Sequence, residues 1–257
     1  MELKITSSNI RFENPADGDH DWPHRKNILR DILLNFNCDI LGTQEGREPQ
    51  LRALNELIPK YELIDHHRQW IDERMYPCIF IKPDIIKVLR SGDIWLSETP
   101  EISGSKSFDS AFPRLCTWIE AQDVKTLTPF FFVNTHLDHV KQETRIEQAK
   151  VLSKEIKKEN KKNLPIILMG DFNDSPESPI RKIVNDLLKL HDPWIEHKKI
   201  EESSHHSFHG EKGDGIRIDW ILLSHDFSCD DIFLDKTHQE KIYPSDHFPL
   251  MANIRLY

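Results

Sequence analysis

Asp171 and Asn173 stand two residues apart at the end of an aliphatic run, in "NLPIILMGDFNDSPES" (163–178). A carboxylate accepts and an amide donates, so the pair suits the joint positioning of a water molecule and an anionic phosphoryl oxygen. Gly170, just before them, gives the backbone room to turn. The same residues also suit an ordinary Asx turn between strand and helix, and the stretch alone leaves both readings open. Other positions carry similar choices. Glu45, in "LGTQEGRE" (41–48), follows an apolar run. A carboxylate there suits Mg2+, a hard cation that takes oxygen ligands, or is a plain surface acid, as Glu48 is expected to be. His136 ends the apolar run of "VNTHLDH" (133–139), and a lone histidine there is either structural or catalytic. Asp219 sits between Ile218 and Trp220 in "IRIDWILLS" (216–224). A carboxylate entering an apolar strand needs a partner, and His247, next to Asp246 in "YPSDHFPL" (243–250), supplies a candidate.

Side chains of this kind need rigid strand ends to hold them. Runs rich in branched aliphatics predict strands over 3–9, 39–44, 78–83, 116–122, 130–136, 166–171, 219–224 and 250–256. The helical period predicts helices over 23–36, where Ile28, Leu29, Ile32 and Leu33 share a face, and over 48–58 and 144–158. A last helix is expected over 179–190, with Ser178 as N-cap and Pro179 at its first position. Two segments echo each other. A strand ends at Asn9, a helix follows, and a second strand leads to Glu45; a later strand ends at His136, a helix follows, and another strand ends at Asp171. The two intervals are nearly equal, which suggests two packed sheets with helices outside and polar strand ends meeting on one rim.

Composition narrows the function. The 257 residues, 38% hydrophobic, suffice for a sizeable core. No run approaches the length of a membrane helix, and "MELKITSSNIRF" lacks a signal-peptide layout, so a cytoplasmic protein is expected. Cys38, Cys78, Cys116 and Cys229 are scattered, which argues against disulfides or a zinc site. The net charge of −9 argues against a non-specific duplex binder. The lysines of "KEIKKENKK" (154–162) read as a solvated helix end. An acidic chain that handles phosphates would need metal ions to offset its own carboxylates.

In chain order, "TQE", "NTHLDH", "GDFN", "RIDW" and "SDHFP" resemble the endonuclease/exonuclease/phosphatase superfamily of metal-dependent phosphoesterases, from Asn9 to Pro249. The segments "DWPHRKNILRDIL", "GDIWLSETP", "FPRLCTW" and "TRIEQAKVL" are similar to a bacterial branch nearer the deadenylase-type enzymes than pancreatic deoxyribonuclease. The resemblance implies one α/β domain over 1–257, a four-layer α/β/β/α sandwich of two packed mixed sheets flanked by helices. It implies Mg2+, with Mn2+ as a substitute, held chiefly by Glu45, with Asn9 beside it and Asp246 near the metal. Asp171 would orient or deprotonate the attacking water. Asn173 and His136 would donate to the non-bridging oxygens. Asp219 would hold His247, whose imidazole would contact the scissile phosphate or assist proton transfer, so that either Asp171 or His247 would be the base. Arg114, in "FPR", would meet substrate phosphate or else be a surface arginine. Related enzymes place a glutamate near 75–80 to support the histidine equivalent to His136; Met75 stands there, and Glu73 is the nearest substitute. Trp95 and Ser97 are expected beneath the site, and the loop "SHHSFHG" (204–210) at its rim. The implied reaction is in-line hydrolysis of a phosphodiester or phosphomonoester. The implied substrate is a nucleic-acid end, a single-stranded or short nucleic acid, a nucleotide-like compound or a small phosphorylated molecule, with no membrane or obligate protein partner. The rival is a non-catalytic binding or scaffold protein that keeps the fold.

Overall fold

Strand β7 (Pro129–His136) shows how the architecture arises. Phe130, Phe131, Phe132 and Val133 are all fully buried, although a strand sends successive side chains to opposite faces. Both faces must therefore be covered. In the computed structural model, which describes residues 1–211 and 215–257, Phe130 and Phe132 enter one apolar layer while Phe131 and Val133 enter another.

Two mixed six-stranded sheets create these layers. The first runs β11 (Phe227–Leu234), β12 (Leu250–Leu256), β1 (Glu2–Asn9), β2 (Ile40–Gly46), β4 (Tyr76–Ile81) and β3 (Glu62–Leu63) in space. The second runs β5 (Ile86–Trp95), β6 (Leu115–Asp123), β7, β8 (Ile166–Asp171), β10 (Asp219–Ser224) and β9 (Leu190–His191). Each holds one parallel pair, β1 with β2 and β7 with β8. The crossovers are α1 (Trp22–Phe36) and α3 (Gln142–Glu159), so the echo in the sequence is a repeated strand–helix–strand unit. Helices α2 (Glu48–Leu57) and α4 (Pro179–Leu188) complete the outer layers, with α5 (Pro193–Glu196) and a 3-10 turn at Pro15–His20. The inner layer packs Ile5, Ile79 and Ile81 with Ile119, Phe132, Ile167 and Met169. Outside it, Leu29, Leu33, Leu51 and Leu54 cover the first sheet, and Leu152, Ile156, Ile180 and Val184 cover the second. The result is the four-layer α/β/β/α sandwich. Strand β12 pairs antiparallel with β1, and the Met1 nitrogen donates to the Leu256 carbonyl at 2.8 Å. Among the described residues, no helix is long and apolar enough to cross a membrane.

Besides the two-residue β3 and β9, two longer strands escaped the sequence reading, β5 and β11. Each is an edge strand, and half of its side chains meet solvent. Charges such as Lys87, Arg90, Asp230 and Asp231 therefore break the apolar pattern, as edge protection requires. Helix α4 ends at Leu188, with Lys189 in the left-handed region at φ 57°. Ser178 occupies its N-cap position, but its hydroxyl makes no capping bond.

Polar clasps fix one sheet upon the other. Asn134 of β7 donates to the Thr43 and Cys78 carbonyls of the first sheet, both at 2.8 Å, and accepts from Gln44 Nε2 at 2.6 Å. Each partner is buried, so each would be costly to leave unpaired. Arg68, before β4, donates through Nε and Nη2 to the two oxygens of Asp93 on β5, both at 2.7 Å, and through Nη2 to Thr117 on β6 at 2.6 Å. Its Nη1 meets Cys78 Sγ at 2.8 Å.

Burial alone would raise the Asp93 carboxyl, but the Arg68 guanidinium and His67 hold it well below the usual range. A depressed folded value contributes stability that is present above the unfolded value of about 3.9 and is lost as pH falls through the folded one. Asp93→Asn is expected to cost about 3 kcal/mol at neutral pH, because it leaves the buried Arg68 charge unpaired, and to flatten the decline below about pH 4. Denaturant melts across that range check both; a variant as acid-sensitive as the parent rules out this pair as a source of the decline.

Candidate active site

The C-terminal ends of both parallel pairs reach the same rim. In β1–β2, Asn9 lies opposite Gln44, next to Glu45. In β7–β8, His136 lies opposite Asp171. Local backbone then aims the side chains. The β2–β4 register shifts between Thr43 and Gly46, and within this irregularity Glu45 adopts φ 68°. A left-handed non-glycine residue is strained by about 1 kcal/mol, and here it turns the carboxylate toward the rim. Gly170 has φ 144°, and a Cβ there would lie 2.0 Å from the Thr135 carbonyl oxygen. Only glycine lets β8 pass so close to β7 beside Asp171. The Asn173 N–H donates to Asp171 Oδ1 at 2.9 Å. That is an Asx turn, the structural one of the two readings of "GDFN", and it sets the position of the Asn173 amide beside the cavity.

The side chains converge. Asn9 Nδ2 donates to Glu45 Oε1 at 3.2 Å and Asp171 Oδ2 at 3.0 Å, and lies 3.5 Å from His247 Nε2. Asn9 Oδ1 accepts the Arg11 N–H at 3.0 Å, so the amide faces both carboxylates as a donor. His247 Nδ1 meets Asp219 Oδ2 at 2.8 Å. Ser204 Oγ accepts the N–H groups of Ile218 and Asp219 at 2.9 and 3.1 Å, fixing the start of β10. Asn173 Nδ2 lies 3.0 Å from His136 Nε2, and Arg114 Nη1 lies 3.1 Å from His136 Nδ1. A cavity of about 260 Å³ opens among these groups, lined by Glu45, Arg114, His136, Asp171, Asn173, Asp246 and His247. Phe12, Met75, Phe112 and Ile218 add apolar walls. Asn9 and Asp219 are buried, each with 1% exposed.

Burial shapes the proton affinities. It raises the Asp171 carboxyl to about 7, helped by the Asp219 and Glu45 charges and opposed by His247 and the Asn9 hydrogen bond. Burial opposes charge on His247, but the charge and hydrogen bond of Asp219, with Asp171 and Asp246, raise it to about 10. Burial, then the Arg114 charge, hold His136 well below the usual range. Burial would raise Asp246, but the charges of His247, Arg11, His205 and Arg25 bring it below its usual value.

The donor set suits a hard divalent cation. Carboxylate oxygens of Glu45, Asp171 and Asp246 border one cavity. One ligand atom each from His205, Asp246 and His247 lies within 4.8 Å of the others, as do those of Asp171, Asp219 and His247. The seven lining residues named above, with Asn9 bonded to Asp171 and Asp219 bonded to His247 behind them, are the nine to which the resemblance gave site roles. Glu73 does not line the cavity. It is exposed and pairs with Arg47 at 3.0 Å, so it gives His136 no support. Arg114 is 6% exposed and is no surface arginine. Trp95 packs with Ile10, Tyr76 and Leu115, and Ser97 bonds Ser105 at 2.7 Å.

Sequence reasoning missed Arg11, Phe12, His139 and Arg25. Arg25 is fully buried and donates to the carbonyls of Ile10 (2.5 Å), Arg11 (2.6 Å), His20 (2.8 Å) and Pro244 (2.9 Å). It ties the residues after Asn9 to the loop before Asp246. Its position on the apolar stripe of α1, between Trp22 and Ile28, was the available signal.

A family model described as the Endonuclease/Exonuclease/phosphatase family matches residues 6–247. Among solved structures, an endonuclease/exonuclease/phosphatase from Bacteroides vulgatus is similar at 27% identity and TM-score 0.91, covering 100% of both chains. A mannosyl-6-phosphatase from Bacteroides thetaiotaomicron is similar at 28% identity and TM-score 0.87, covering 99% of this chain and 100% of its own. The human Nocturnin catalytic domain shares the fold at 19% identity and TM-score 0.77, with 100% of this chain and 94% of that one covered. No curated protein matches the sequence.

The raised Asp171 carboxyl has a stability consequence. Unfolded, it ionises near 3.9; folded, it keeps its proton to about 7. The folded state binds more protons across that window, so its stability falls as pH rises through it. Asp171→Asn is expected to raise the melting temperature of metal-free protein at about pH 8 more than at about pH 5. Equal shifts at both values would show that Asp171 ionises normally.

Proposed function

The chain belongs to the endonuclease/exonuclease/phosphatase family, and from that membership we propose that it is a Mg2+-dependent phosphoesterase acting on a small phosphorylated molecule. One observation carries this reading: Glu45, His136, Asp171, Asn173 and His247, from distant parts of the chain, border a single cavity of about 260 Å³. The similar mannosyl-6-phosphatase, matched over nearly the full length of both chains, favours a phosphomonoester of a sugar-sized alcohol. A short nucleic-acid end is the second reading, favoured by Phe12 and Phe112 in the cavity wall, where a base could stack. The chain is read as one cytoplasmic domain.

In this mechanism Glu45 and Asp246 would hold Mg2+, with Mn2+ as a substitute, and the cation, when bound, would supply positive charge to offset that of the phosphoryl group. Asn9 orients Glu45 and Asp171 through its two donated hydrogen bonds. Asp171, with proton affinity matched to neutral pH, orients a water and takes its proton as the new P–O bond forms. Asn173 and His136 donate N–H groups to non-bridging oxygens, and Arg114 adds fixed positive charge behind them. Asp219, with its charge and its hydrogen bond at Nδ1, holds His247 as an imidazolium, so that a second proton, on Nε2, faces the cavity. His247 delivers that proton to the departing alcohol oxygen as the old P–O bond breaks.

The test is turnover of sugar phosphates, bis-p-nitrophenyl phosphate and short single strands with Mg2+. Phosphomonoester hydrolysis is expected, abolished by EDTA and reduced roughly a thousandfold or more in Asp171→Ala. Glu45→Gln is expected to weaken Mg2+ affinity while leaving the melting temperature of metal-free protein nearly unchanged. Metal binding without turnover across the panel would favour the scaffold reading instead.

A further inference from the structure

His136 presents both ring nitrogens to donors. Arg114 Nη1 lies 3.1 Å from Nδ1, and Asn173 Nδ2 lies 3.0 Å from Nε2. A neutral imidazole has one N–H and one acceptor, and an imidazolium has two N–H groups. No such state can accept both donors, so one contact must yield. Arg114 cannot yield. A guanidinium only donates and stays charged. It is buried, its Nη2 faces His139 Nδ1 at 3.3 Å, and its Nε has no hydrogen-bond partner among the described residues. Asn173 has an alternative, because the same Nδ2 reaches the Leu137 carbonyl at 3.1 Å. A cationic N–H facing another N–H in a buried site is the costlier of the two clashes.

We propose that Arg114 is a positioning residue that fixes His136 as the neutral tautomer with its proton on Nε2. The Nε2–H and the Asn173 amide N–H then crowd one point at the cavity wall, close to Asp171 Oδ2, which lies 3.5 Å from Nε2. A phosphoryl oxygen arriving there accepts both and relieves the clash. The tautomer has a chemical consequence. With Nδ1 occupied by Arg114 and Nε2 protonated, His136 has no free position to accept a proton. It donates hydrogen bonds and carries no proton through the reaction, which leaves that work to Asp171 and His247. Met75, in the cavity wall, offers no carboxylate to draw the proton to the other nitrogen. The role in turnover rests on the phosphoesterase reading; the tautomer does not.

Nitrogen NMR of the full chain with labelled histidine, at neutral pH, tests the tautomer, with the His136 signals identified by their loss in His136→Gln. The expected pattern is a single protonated nitrogen, Nε2. An imidazolium or an Nδ1–H tautomer overturns the proposal, whether or not any Arg114 variant folds. In Arg114→Met the pattern is expected to move toward mixed tautomers; an unchanged pattern overturns the role of Arg114. Turnover gives a second readout. His136→Gln, whose amide can replace the donor, is expected to stay within about tenfold of the parent, while His136→Ala loses on the order of a hundredfold. Equal losses would make His136 a proton carrier and end the proposal. If no phosphoester is turned over, the enzyme reading falls, and the NMR pattern still decides the tautomer.

Discussion

A single amide nitrogen joins the two sheets where charge is densest. Asn9, on the first sheet, donates to Glu45 of its own sheet and to Asp171 of the other. Two carboxylates brought together away from water repel each other and lose hydration. A donor between them offsets part of both costs, and it does so only if the strand ends sit in one fixed relation. The rest of the sandwich supplies that relation. Asn134 with Gln44 and Arg68 with Asp93 prevent the sheets from sliding on their apolar interface, because hydrophobic contact by itself is non-directional.

The site is also built against the preferences of its own parts. Glu45 is in a left-handed conformation, Gly170 admits no side chain, Asp171 holds its proton to about neutral pH, and the Asp219 Oδ1 oxygen has no hydrogen-bond partner among the described residues. Each lowers stability locally, and strain of this kind persists where surrounding structure over-determines it. The aliphatic interior between the sheets provides that rigidity. The contrast with the polar rim follows from one rule of strand geometry: apolar residues fill the strand interiors, and the residue at the tip is free to be anything the chemistry needs.

Much of this was legible in the sequence, for physical reasons. Central strands such as β7 and β8 are covered on both faces, so they read as unbroken apolar runs, and their ends read as abrupt changes of polarity. The near-equal intervals from Asn9 to Glu45 and from His136 to Asp171 reflect two parallel crossovers of similar length. Edge strands β5 and β11 were illegible because solvent on one side erases the pattern that betrays a strand. The second layer of the site was hidden for another reason. Arg25 acts through backbone carbonyls, which leave no signature in residue type at the far end. The neighbours of His136 could not be read either, since Arg114 reaches it across paired strands β6 and β7, and Glu73 turns outward to Arg47.

The pairing of β1 with β12 bears on how the molecule is made. Strand β1 precedes the other described strands in chain order yet lies in the interior of its sheet, and one of its two neighbours, β12, follows all of them. Until that segment emerges, β1 has a bare edge, and β11, whose neighbour in the sheet is β12, has no strand to pair with. Final assembly therefore waits for translation to pass β12, and the high sequence separation of this contact slows the concluding step. During that interval the nascent chain depends on the β1–β2 pair and its crossover helix to keep the exposed edge from joining a neighbouring chain.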